Sequence, residues 1–472
     1  STIDYNGYMT VIENEPFGTR STIMMPDGMN NVKALLWSEN NKYAPENATY
    51  YSWEKNVGKS ETMVFYHKSG MELRTVTFDI NGEAVIVDKM YDDYGNIKQM
   101  SYPYYENDDK LFVVNVYDMY NRMIETNYPN GLNVTRSYDG NDVLTEYLAA
   151  DAIKKYKKEV CNFMGWVTNV YDNGDNEIKY EYYSDGKLKS AQMGENSNNR
   201  ITVTYDNLRN RSSIFDPNYG LMLYENDVLG NVRKITNAQN IIEMDYDVLG
   251  RKVLVKENDL VHGTKNVVQW VYSRDKGTNG LLSKVLASNN HQIEYRYDDK
   301  LRLLNTIETI NGIEYETSYS YDEANRISTI IYPSGFGVLK KYSNSGYEKM
   351  ICDVKTQSVL WETNKTNSNG NITDFRLGNG LKTHYTYNPY DYMIESIVTK
   401  KRDEVLQDMS YKYDIMCNLM YRCDNVEYNY EKFEYDSYDR LTAIILNDEI
   451  KGKMNYDLNG NSYCVIEHLN EN

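Results

Sequence analysis

Carboxylates are the most abundant side chains in this sequence that could carry out chemistry. The chain has 69 Asp and Glu residues against 51 Lys and Arg residues, and its formal net charge at pH 7 is −18. Paired carboxylates can act as the acid and base of glycoside hydrolysis, and clustered ones can bind calcium. Acidic residues are spread along the whole chain, and the Gly-Gly-x-Gly-x-Asp calcium repeat does not occur. The carboxylates therefore predict neither a glycosidase nor a calcium site.

Histidines and cysteines are few and scattered. A structural zinc site needs four ligands at short, regular spacings, and the sequence contains no Cys-x-x-Cys pair. We therefore predict no metal, no cofactor and no disulfide framework, with the cysteines as packing residues. The five histidines are His67, His262, His291, His384 and His468, and the five cysteines are Cys161, Cys352, Cys417, Cys423 and Cys464.

One glycine-rich segment could be a phosphate-binding loop. Gly335-Phe336-Gly337 is not followed by a helical pattern, and a phosphate cradle requires a helix that begins after the loop. The segment is therefore interpreted as an ordinary loop. With no singular group of reactive side chains, the sequence predicts a non-enzymatic protein with no catalytic, cofactor-binding or metal-binding residues.

The dominant pattern is a recurring Tyr-Asp dipeptide that Gly or Asn usually follows three residues later. Tyr246-Asp247-Val248-Leu249-Gly250-Arg251 is a clear copy. Successive copies are 20 to 26 residues apart, and a fixed period in this range indicates an array of one supersecondary unit. The first position of each copy is occupied by Tyr66, Tyr91, Tyr117, Tyr138, Cys161, Tyr183, Tyr205, Asn226, Tyr246, Tyr272, Tyr297, Tyr321, Tyr342, Thr366, Tyr387, Tyr413, Tyr435 and Tyr456.

Each unit is predicted to contain two short strands and two tight turns. Before the dipeptide, residues alternate between Tyr or β-branched and polar types, as in 315–321, which is typical of a half-buried strand. The Asp suits the first position of a type I turn, and the later Gly suits a left-handed position. Dipeptides at the second turn predict type I′ turns. These are Asn81-Gly82, Asn130-Gly131, Asp185-Gly186, Asn311-Gly312 and Asn379-Gly380.

The predicted fold is all-β: a repetitive antiparallel β-hairpin array with one continuous architecture. Residues 1–65 are a less regular N-terminal β segment of the same array, and residues 66–472 are the regular part. Asn14–Gly18 and Pro26–Gly28 resemble turns of the same kind. A β-propeller is the rival architecture, because two units would equal one blade. Every second unit is not more alike than the others, and this favours a continuous curved sheet.

Charge and hydropathy exclude two classes of partner. Nucleic-acid backbones require a concentrated basic surface, which a chain with net charge −18 is not expected to offer. The sequence has no apolar run near the roughly 20 residues that a membrane-spanning helix needs. We therefore predict neither nucleic-acid binding nor membrane insertion.

From about Tyr50 to the C-terminus the chain resembles the Rhs/YD-repeat family, which includes bacterial Rhs toxins, the B and C components of Tc toxins, and the teneurins. The resemblance rests on the repeated Tyr-Asp-x-x-Gly-Arg/Asn unit and on two longer strings, 370–387 and 433–441. It implies that the strands wind as a spiral sheet into the wall of a hollow shell. In the toxin members such a shell encloses a C-terminal toxic domain.

The resemblance also implies a function, partners and a location. The chain is expected to be a non-catalytic shell segment of a secreted or cell-surface bacterial protein, with an encapsulated toxin or effector, or the shell-closing segments, as partners. The family's closing segment contains autoproteolytic aspartates in Asp-Pro motifs. Asp216-Pro217 is similar to that motif, but it falls at the second turn of an ordinary repeat, so we interpret it as a turn.

Two functional classes remain open at this stage. The first is the container described above. The second is an extracellular adhesion or scaffold protein whose repeats bind a glycan or a cell-surface protein. The tyrosines fit both classes, because they can stack on cross-strand neighbours and stiffen the sheet, or line a concave face and contact a ligand.

Overall fold

The computed structural model describes residues 1–3, 9–25, 28–149, 154–174, 176–457 and 460–465. Within these ranges the chain forms 42 β-strands in one sheet and two short 3-10 turns, Pro16–Gly18 and Ser197–Asn199. This confirms the predicted all-β fold. Among the described residues, no helix has the length and apolar character required to cross a bilayer.

The strands are short, mostly five to eight residues, and follow one another along the whole chain. The first part contains β1 Thr2–Ile3, β2 Met9–Asn14, β3 Arg20–Met24, β4 Asn30–Trp37, β5 Tyr50–Lys55, β6 Thr62–Tyr66, β7 Glu72–Phe78, β8 Ala84–Tyr91, β9 Ile97–Ser101, β10 Tyr104–Tyr105, β11 Phe112–Tyr117, β12 Met123–Asn127, β13 Asn133–Asp139, β14 Asp142–Leu148, β15 Lys154–Cys161, β16 Val167–Asp172, β17 Glu177–Tyr182, β18 Leu188–Met193, β19 Arg200–Tyr205, β20 Arg211–Asp216 and β21 Gly220–Asn226.

The second part contains β22 Val232–Thr236, β23 Asn240–Tyr246, β24 Lys252–Asp259, β25 Lys265–Tyr272, β26 Leu282–Ala287, β27 Gln292–Tyr297, β28 Leu303–Ile310, β29 Ile313–Tyr321, β30 Ile327–Ile331, β31 Gly337–Tyr342, β32 Glu348–Asp353, β33 Val359–Thr366, β34 Ile372–Leu377, β35 Leu381–Tyr387, β36 Ile394–Lys401, β37 Glu404–Tyr413, β38 Leu419–Asp424, β39 Asn429–Tyr435, β40 Leu441–Leu446, β41 Glu449–Tyr456 and β42 Ser462–Val465.

The sheet is a continuous antiparallel meander in which each strand pairs with its neighbours in sequence. Strand β27, for example, pairs with β26 on one side and with β28 on the other. The meander is interrupted between β9 and β10: both pair with β8, but the register shifts by one residue between them, with Lys89 opposite Met100 and Ile86 opposite Tyr104. Pro103 lies at this interruption, where the ladder lacks a backbone N–H donor. The described strands form one sheet and not separate propeller blades.

The two faces of the sheet differ as the alternation predicts. In β35, Lys382, His384 and Thr386 are exposed, whereas Tyr385 and Tyr387 on the other face are half-buried. The same alternation occurs in β21 and in residues 431–435 of β39. A strand with one apolar and one polar face fits a sheet that has different environments on its two sides.

Most of the wall is a single layer. The solvent-accessible surface is 29010 Å², whereas a compact 55.1 kDa protein is expected to expose roughly 18,000 Å². The excess follows from a sheet that is not covered by a second layer over most of its length. Ordinary domains bury a hydrophobic sheet face against another element. In this chain most of the sheet lacks such a covering element.

One patch near the N-terminus is packed like an ordinary core. Phe65, Val76, Ile86 and Tyr104 are buried together, and the irregular segment 38–49 covers them with the side chains of Tyr43, Ala44 and Ala48. We call these buried residues and segment 38–49 the packed patch. Its edge holds a buried ion-pair network on Asp88, described below. The packed patch therefore provides a second layer that the rest of the wall lacks.

The turns correct two sequence predictions. A type I′ turn needs positive φ at both central residues, and of the five predicted dipeptides only Asn311-Gly312 has it, with φ of 51° and 79°. In the other four, only the Gly has positive φ and closes a type I turn as a bulge residue. Asp185-Gly186 also belongs to the first turn of its unit. The first position of that unit is therefore Tyr182, where the register shifts, and not Tyr183.

Two other turn predictions had different outcomes. The segment Asn14–Gly18 does form a turn, with the Gly18 N–H donating to the Glu15 carbonyl at 3.0 Å. Pro26 and Asp27 lie outside the described residues.

Candidate functional site at the repeat turns and the seam

The repeated carboxylate is a turn-forming group. In the unit at Asp247, the Asp247 N–H donates to the Arg251 carbonyl at 2.9 Å. Asp247 Oδ1 accepts the backbone N–H groups of Leu249 at 2.9 Å and Arg251 at 3.0 Å, and Oδ2 accepts Arg251 Nε at 2.7 Å. Both carboxylate oxygens therefore have partners within the turn itself.

The same pair of backbone contacts to Oδ1, from the second and fourth residues after the Asp, recurs along the array. It is found at Asp92, Asp118, Asp206, Asp227, Asp298, Asp322, Asp414 and Asp436. Asn162 and Asn367 make it with a neutral amide oxygen. Because Asn replaces Asp in some units, the turn requires an acceptor and not a charge.

Hydrogen bonds within the turn favour the ionised carboxylate. The side chain of Arg251 and the turn's backbone N–H groups hold the pKa of Asp247 below its usual value. At Asp298 burial acts in the opposite direction, but Arg302 and the turn N–H groups outweigh it and the pKa is again lowered. A general base needs a pKa near the working pH. The lowered pKa values therefore suit a structural acceptor better than a proton-transfer group.

Each arginine of the motif also contacts the next unit. The Arg251 guanidinium lies 4.0 Å from the ring centre of Tyr272, which is the first residue of the following unit. Arg302 stands in the same way over Tyr321 at 4.4 Å. The same cation–π contact is made by Arg122 on Tyr138, Arg326 on Tyr342 and Arg440 on Tyr456.

The tyrosine hydroxyl completes the connection between units. The Tyr321 hydroxyl donates to the Leu303 carbonyl at 2.7 Å, at the start of the strand that follows the preceding turn. Equivalent bonds of 2.7 to 3.2 Å are made by Tyr117, Tyr138, Tyr182, Tyr205, Tyr246, Tyr272, Tyr297, Tyr342, Tyr387, Tyr435 and Tyr456. Cross-strand stacking, which we predicted for these tyrosines, occurs at some of them, such as Tyr66 on Tyr50. Hydroxyl-to-carbonyl bonds and arginine contacts are more frequent.

The scattered histidines are not brought together by the fold. His262 pairs with Asp259, His291 with Glu308 and His384 with Asp374, each at 2.7 to 2.8 Å, and His67 contacts Ser69. No group of three or more metal-binding side chains converges in the described ranges. His468 lies outside them.

The other candidate residues occupy ordinary positions. Cys161, Cys352, Cys417 and Cys423 are free thiols, and the side chain of Cys464 is not described. Gly335 closes a turn by donating its backbone N–H to the Tyr332 carbonyl. A strand follows this turn, in agreement with the interpretation of the segment as an ordinary loop. Asp216 accepts the Asn218 N–H at 2.8 Å in the turn between β20 and β21.

The meander winds back on itself, as the family resemblance implied, but the sequence did not predict which strands meet. We call β5–β28 the first coil and β29–β42 the second coil. Arg326 Nη1 in the second coil donates to the Gly58 carbonyl of the first at 3.3 Å. The Tyr105 hydroxyl donates to the Thr366 carbonyl at 3.0 Å, and the Tyr438 hydroxyl donates to Asp172 Oδ1 at 3.0 Å. These partners are 261 to 268 residues apart in sequence.

The contacts between the coils, which we call the seam, join two different kinds of turn. The second coil contributes its Tyr-Asp turns, as at Ser368, whose hydroxyl donates to the Pro103 carbonyl at 2.8 Å. The first coil contributes the turns at the other end of its strands, which we call the opposite turns. At Gly346, the seam leaves no room for a side chain beside the Gly58 carbonyl. The wall is therefore a spiral ribbon whose two edges meet.

Several cavities lie along the seam, and two of them adjoin the turn 366–370. One, of about 390 Å³, is lined in part by Tyr102, Tyr105, Tyr387, Tyr390 and Tyr392. The other, of about 430 Å³, is bordered by residues of β7, β8 and the turn 366–370. The rings of Tyr102 and Tyr392 pack against each other across the seam, with centres 5.2 Å apart and planes inclined by 38°. Aromatic side chains from both coils thus converge at one place.

A spiral, single-layer wall of Tyr-Asp hairpins defines an architectural class, and solved structures share it. The chain matches the crystal structure of TcdB2-TccC3 without its hypervariable C-terminal region with a TM-score of 0.74 at 15% identity, covering 93% of this chain and 26% of that one. The TcdB2-TccC3-Cdc42 crystal structure matches with a TM-score of 0.73 at 16% identity, covering 93% of this chain and 26% of that one. A mutant Tc holotoxin pore from Photorhabdus luminescens matches with a TM-score of 0.73 at 15% identity, with the same coverage of 93% of this chain and 26% of that one.

These similarities establish the fold. The chain spans about a quarter of the length of the solved chains that it matches. No protein-family model and no curated protein sequence matches it. The structural neighbours come from Tc toxins, one of the groups that the sequence resembles, so the fold part of that expectation is confirmed.

Proposed function

We propose that this chain is a non-catalytic wall segment of a shell that encloses a polypeptide cargo. The observation that carries the proposal is the uncovered single-layer sheet, whose surface is about 1.6 times that expected for a compact protein of this mass. A wall that separates two compartments needs area and edge-to-edge continuity, and the spiral and its seam supply both. Residues 1–65 and 66–472 would be parts of the same wall.

The repeat chemistry supports a structural role. The same hydrogen bonds recur at most of the Tyr-Asp turns, so none of these turns has the distinct environment that catalysis requires. By analogy with the Tc-toxin neighbours, the cargo would be a toxin or effector domain, the other partners would be the shell-closing segments, and the protein would be secreted or displayed on a bacterial surface.

Two measurements test the container. Small-angle X-ray scattering of the 472-residue chain should show the intensity profile of a hollow particle, and a solid-particle profile would contradict the proposal. In the natural gene product that contains this chain, polypeptide inside the shell should resist protease. Gly346→Val, which forces the seam apart, should remove that protection, whereas Gly95→Val in an equivalent turn away from the seam should retain it. Equal digestion in the wild type and both variants would exclude enclosure.

A second candidate is a surface scaffold that binds a glycan or a protein. The observation in its favour is the tyrosine-lined seam cavity, because aromatic faces stack on sugar rings and on apolar side chains. Glycan-array binding that is lost in Tyr390→Ala would support this candidate. Absence of binding, together with protease protection of internal cargo, would favour the container.

A further inference from the structure

The Tyr-Asp turns of the first coil carry an uncovered row of apolar side chains. The two residues at the tip of each turn point away from the sheet, and many are aliphatic or aromatic. Val248 is 99% exposed, Phe163 is 91% exposed and Val228 is 85% exposed. The row, which we call the Tyr-Asp rim, contains Tyr94, Met119, Tyr120, Phe163, Met164, Leu208, Val228, Leu229, Val248 and Leu249.

The equivalent turns of the second coil show what such a rim contacts. There the tips lie against the opposite turns of the first coil, as Ala324 does beside Gly58 and Ser368 does beside Pro103. The Tyr-Asp rim has the same backbone geometry, but no described residue of the chain covers it. An exposed apolar strip of this length marks an interaction surface.

The complementary edge is also uncovered. The opposite turns that follow β23 expose Leu260, Val261, Ile313, Phe336 and Tyr428. By contrast, the opposite turns between Gly58 and Asn218 contact Tyr-Asp turns of the second coil. We call the uncovered set the opposite rim. One copy of the chain therefore has both halves of a seam without a partner.

We propose that the Tyr-Asp rim of one copy docks on the opposite rim of a second copy, which continues the spiral from chain to chain. The internal seam is the template, because it already joins these two kinds of turn. The Tyr-Asp rim spans 16 strands, β8–β23, and at roughly 4.8 Å per strand it is about 77 Å long. With a sheet about 10 Å thick, the contact covers roughly 800 Å² per partner, which is the size of a standard protein interface.

The two surfaces differ, so the contact is heterologous and does not close as a twofold dimer does. Such contacts produce an open series of dimers, trimers and longer stacks. The net charge of −18 opposes stacking through repulsion between copies. Salt screens that repulsion over about 10 Å at 0.1 M ionic strength, so association should increase with added salt.

Analytical ultracentrifugation of the 472-residue chain tests the proposal. Between about 5 and 100 µM protein the weight-average mass should rise at least twofold, and it should rise further from 20 to 300 mM NaCl. A Tyr-Asp rim variant, V228S/L229S/V248S/L249S, and an opposite rim variant, L260S/V261S/I313S/Y428S, should each remain monomeric. Because the changed side chains are exposed, both variants should keep the circular dichroism spectrum of the wild type.

Mixing the two variants is the decisive experiment. Each retains the rim that the other has lost, so a 1:1 mixture should form heterodimers and no larger species. The matched control, L221S/L223S, removes exposed apolar side chains from a strand face, and it should associate like the wild type. A monomeric wild type over the whole concentration range, rim variants that associate as before, or a mixture that stays monomeric would each overturn the proposal. Strand-edge pairing would appear as association that both rim variants retain.

Discussion

The packed patch and the rest of the wall are parts of one sheet, but they are stabilised in different ways. Around Phe65 and Val76, which are fully buried, segment 38–49 forms a second layer. In the wall beyond β10, most strand side chains are half-buried, and the fully buried ones are few and scattered. The patch depends on the burial of apolar area in one place. The wall depends on many similar turns, hydroxyl bonds and arginine contacts, so it tolerates the loss of any one of them.

The largest difference between the regions should come from deleting a buried ring. Phe65→Ala removes a fully buried side chain and should lower the free energy of unfolding by about 3–5 kcal/mol, because transfer and cavity terms add. The control Val248→Ala truncates a side chain that is 99% exposed and should change stability by less than about 0.5 kcal/mol. Urea denaturation followed by tyrosine fluorescence measures both. Equal effects would show that the patch is not a distinct core.

The same substitution of an aspartate should have unequal effects in the two regions. Asp88 accepts Arg74 Nε at 2.6 Å, the Tyr104 hydroxyl at 2.7 Å and Lys110 Nζ at 2.9 Å, and its side chain is nearly buried. Asp88→Ala should destabilise by about 3 kcal/mol, because it leaves the largely buried Arg74 charge without its carboxylate counter-ion. Asp298→Ala, in a wall turn, should destabilise by about 1 kcal/mol, the contribution of a typical hydrogen bond.

Thermal unfolding of both variants is the measurement. Asp298→Asn is the control, because the amide oxygen keeps the turn acceptor, and it should restore most of the loss. Complete loss of function at one wall Asp, with stability unchanged, would instead reveal a localised site.

The seam allows a comparison at constant backbone geometry. Gly346 and Gly95 occupy the same place in their turns and both have φ of 87°, but only Gly346 faces another coil. Both Gly→Ala substitutions should cause about 1 kcal/mol of backbone strain. At Gly346 the new methyl group also meets the Gly58 carbonyl, which should add about 2 kcal/mol. If calorimetry gives equal losses for Gly346→Ala and Gly95→Ala, the seam does not contribute to stability.

The smallest effect per residue concerns pH. The pKa values of Asp88 in the patch and of Asp247, Asp298 and Asp322 in the wall lie below the usual value, because hydrogen bonds favour the ionised form. A carboxylate with a lowered pKa stabilises the folded state above its unfolded pKa, and this contribution is lost as pH falls through the folded pKa. The melting temperature should therefore fall steadily below about pH 4, with many small contributions from the wall. A constant melting temperature from pH 6 to 3 would contradict this account.

Local structure was predictable from the sequence because the unit is local. Tyrosine, aspartate and glycine at short, fixed separations specify a strand, a turn and a bulge, and Asp247 with Gly250 forms the predicted turn. The type I′ predictions failed at Asn81-Gly82 and similar places because the same dipeptide also ends a longer type I turn, and only the register distinguishes the two. The first position of one unit was assigned to Tyr183 instead of Tyr182, because the two tyrosines are adjacent in sequence.

The seam could not be predicted in the same way. Its contacts join residues such as Gly58 and Arg326, 268 positions apart, and no local pattern determines how tightly a sheet curves. One signal was present: apolar turn tips such as Val248-Leu249 in the first coil differ from Glu323-Ala324 in the second. The packed patch was also missed, because segment 38–49 has no repeat pattern and covers the sheet only in three dimensions.

The spacing of the seam has a consequence for how the chain folds during synthesis. Almost every strand pairs with the strand just before it, so each hairpin can form as soon as it leaves the ribosome. The seam contact between Gly58 and Arg326 can form only after about 268 further residues have been translated. During that interval the nascent wall has open edges, and its curvature must already be correct. The early packed patch, complete once Tyr104 has emerged, gives the growing spiral a fixed starting point.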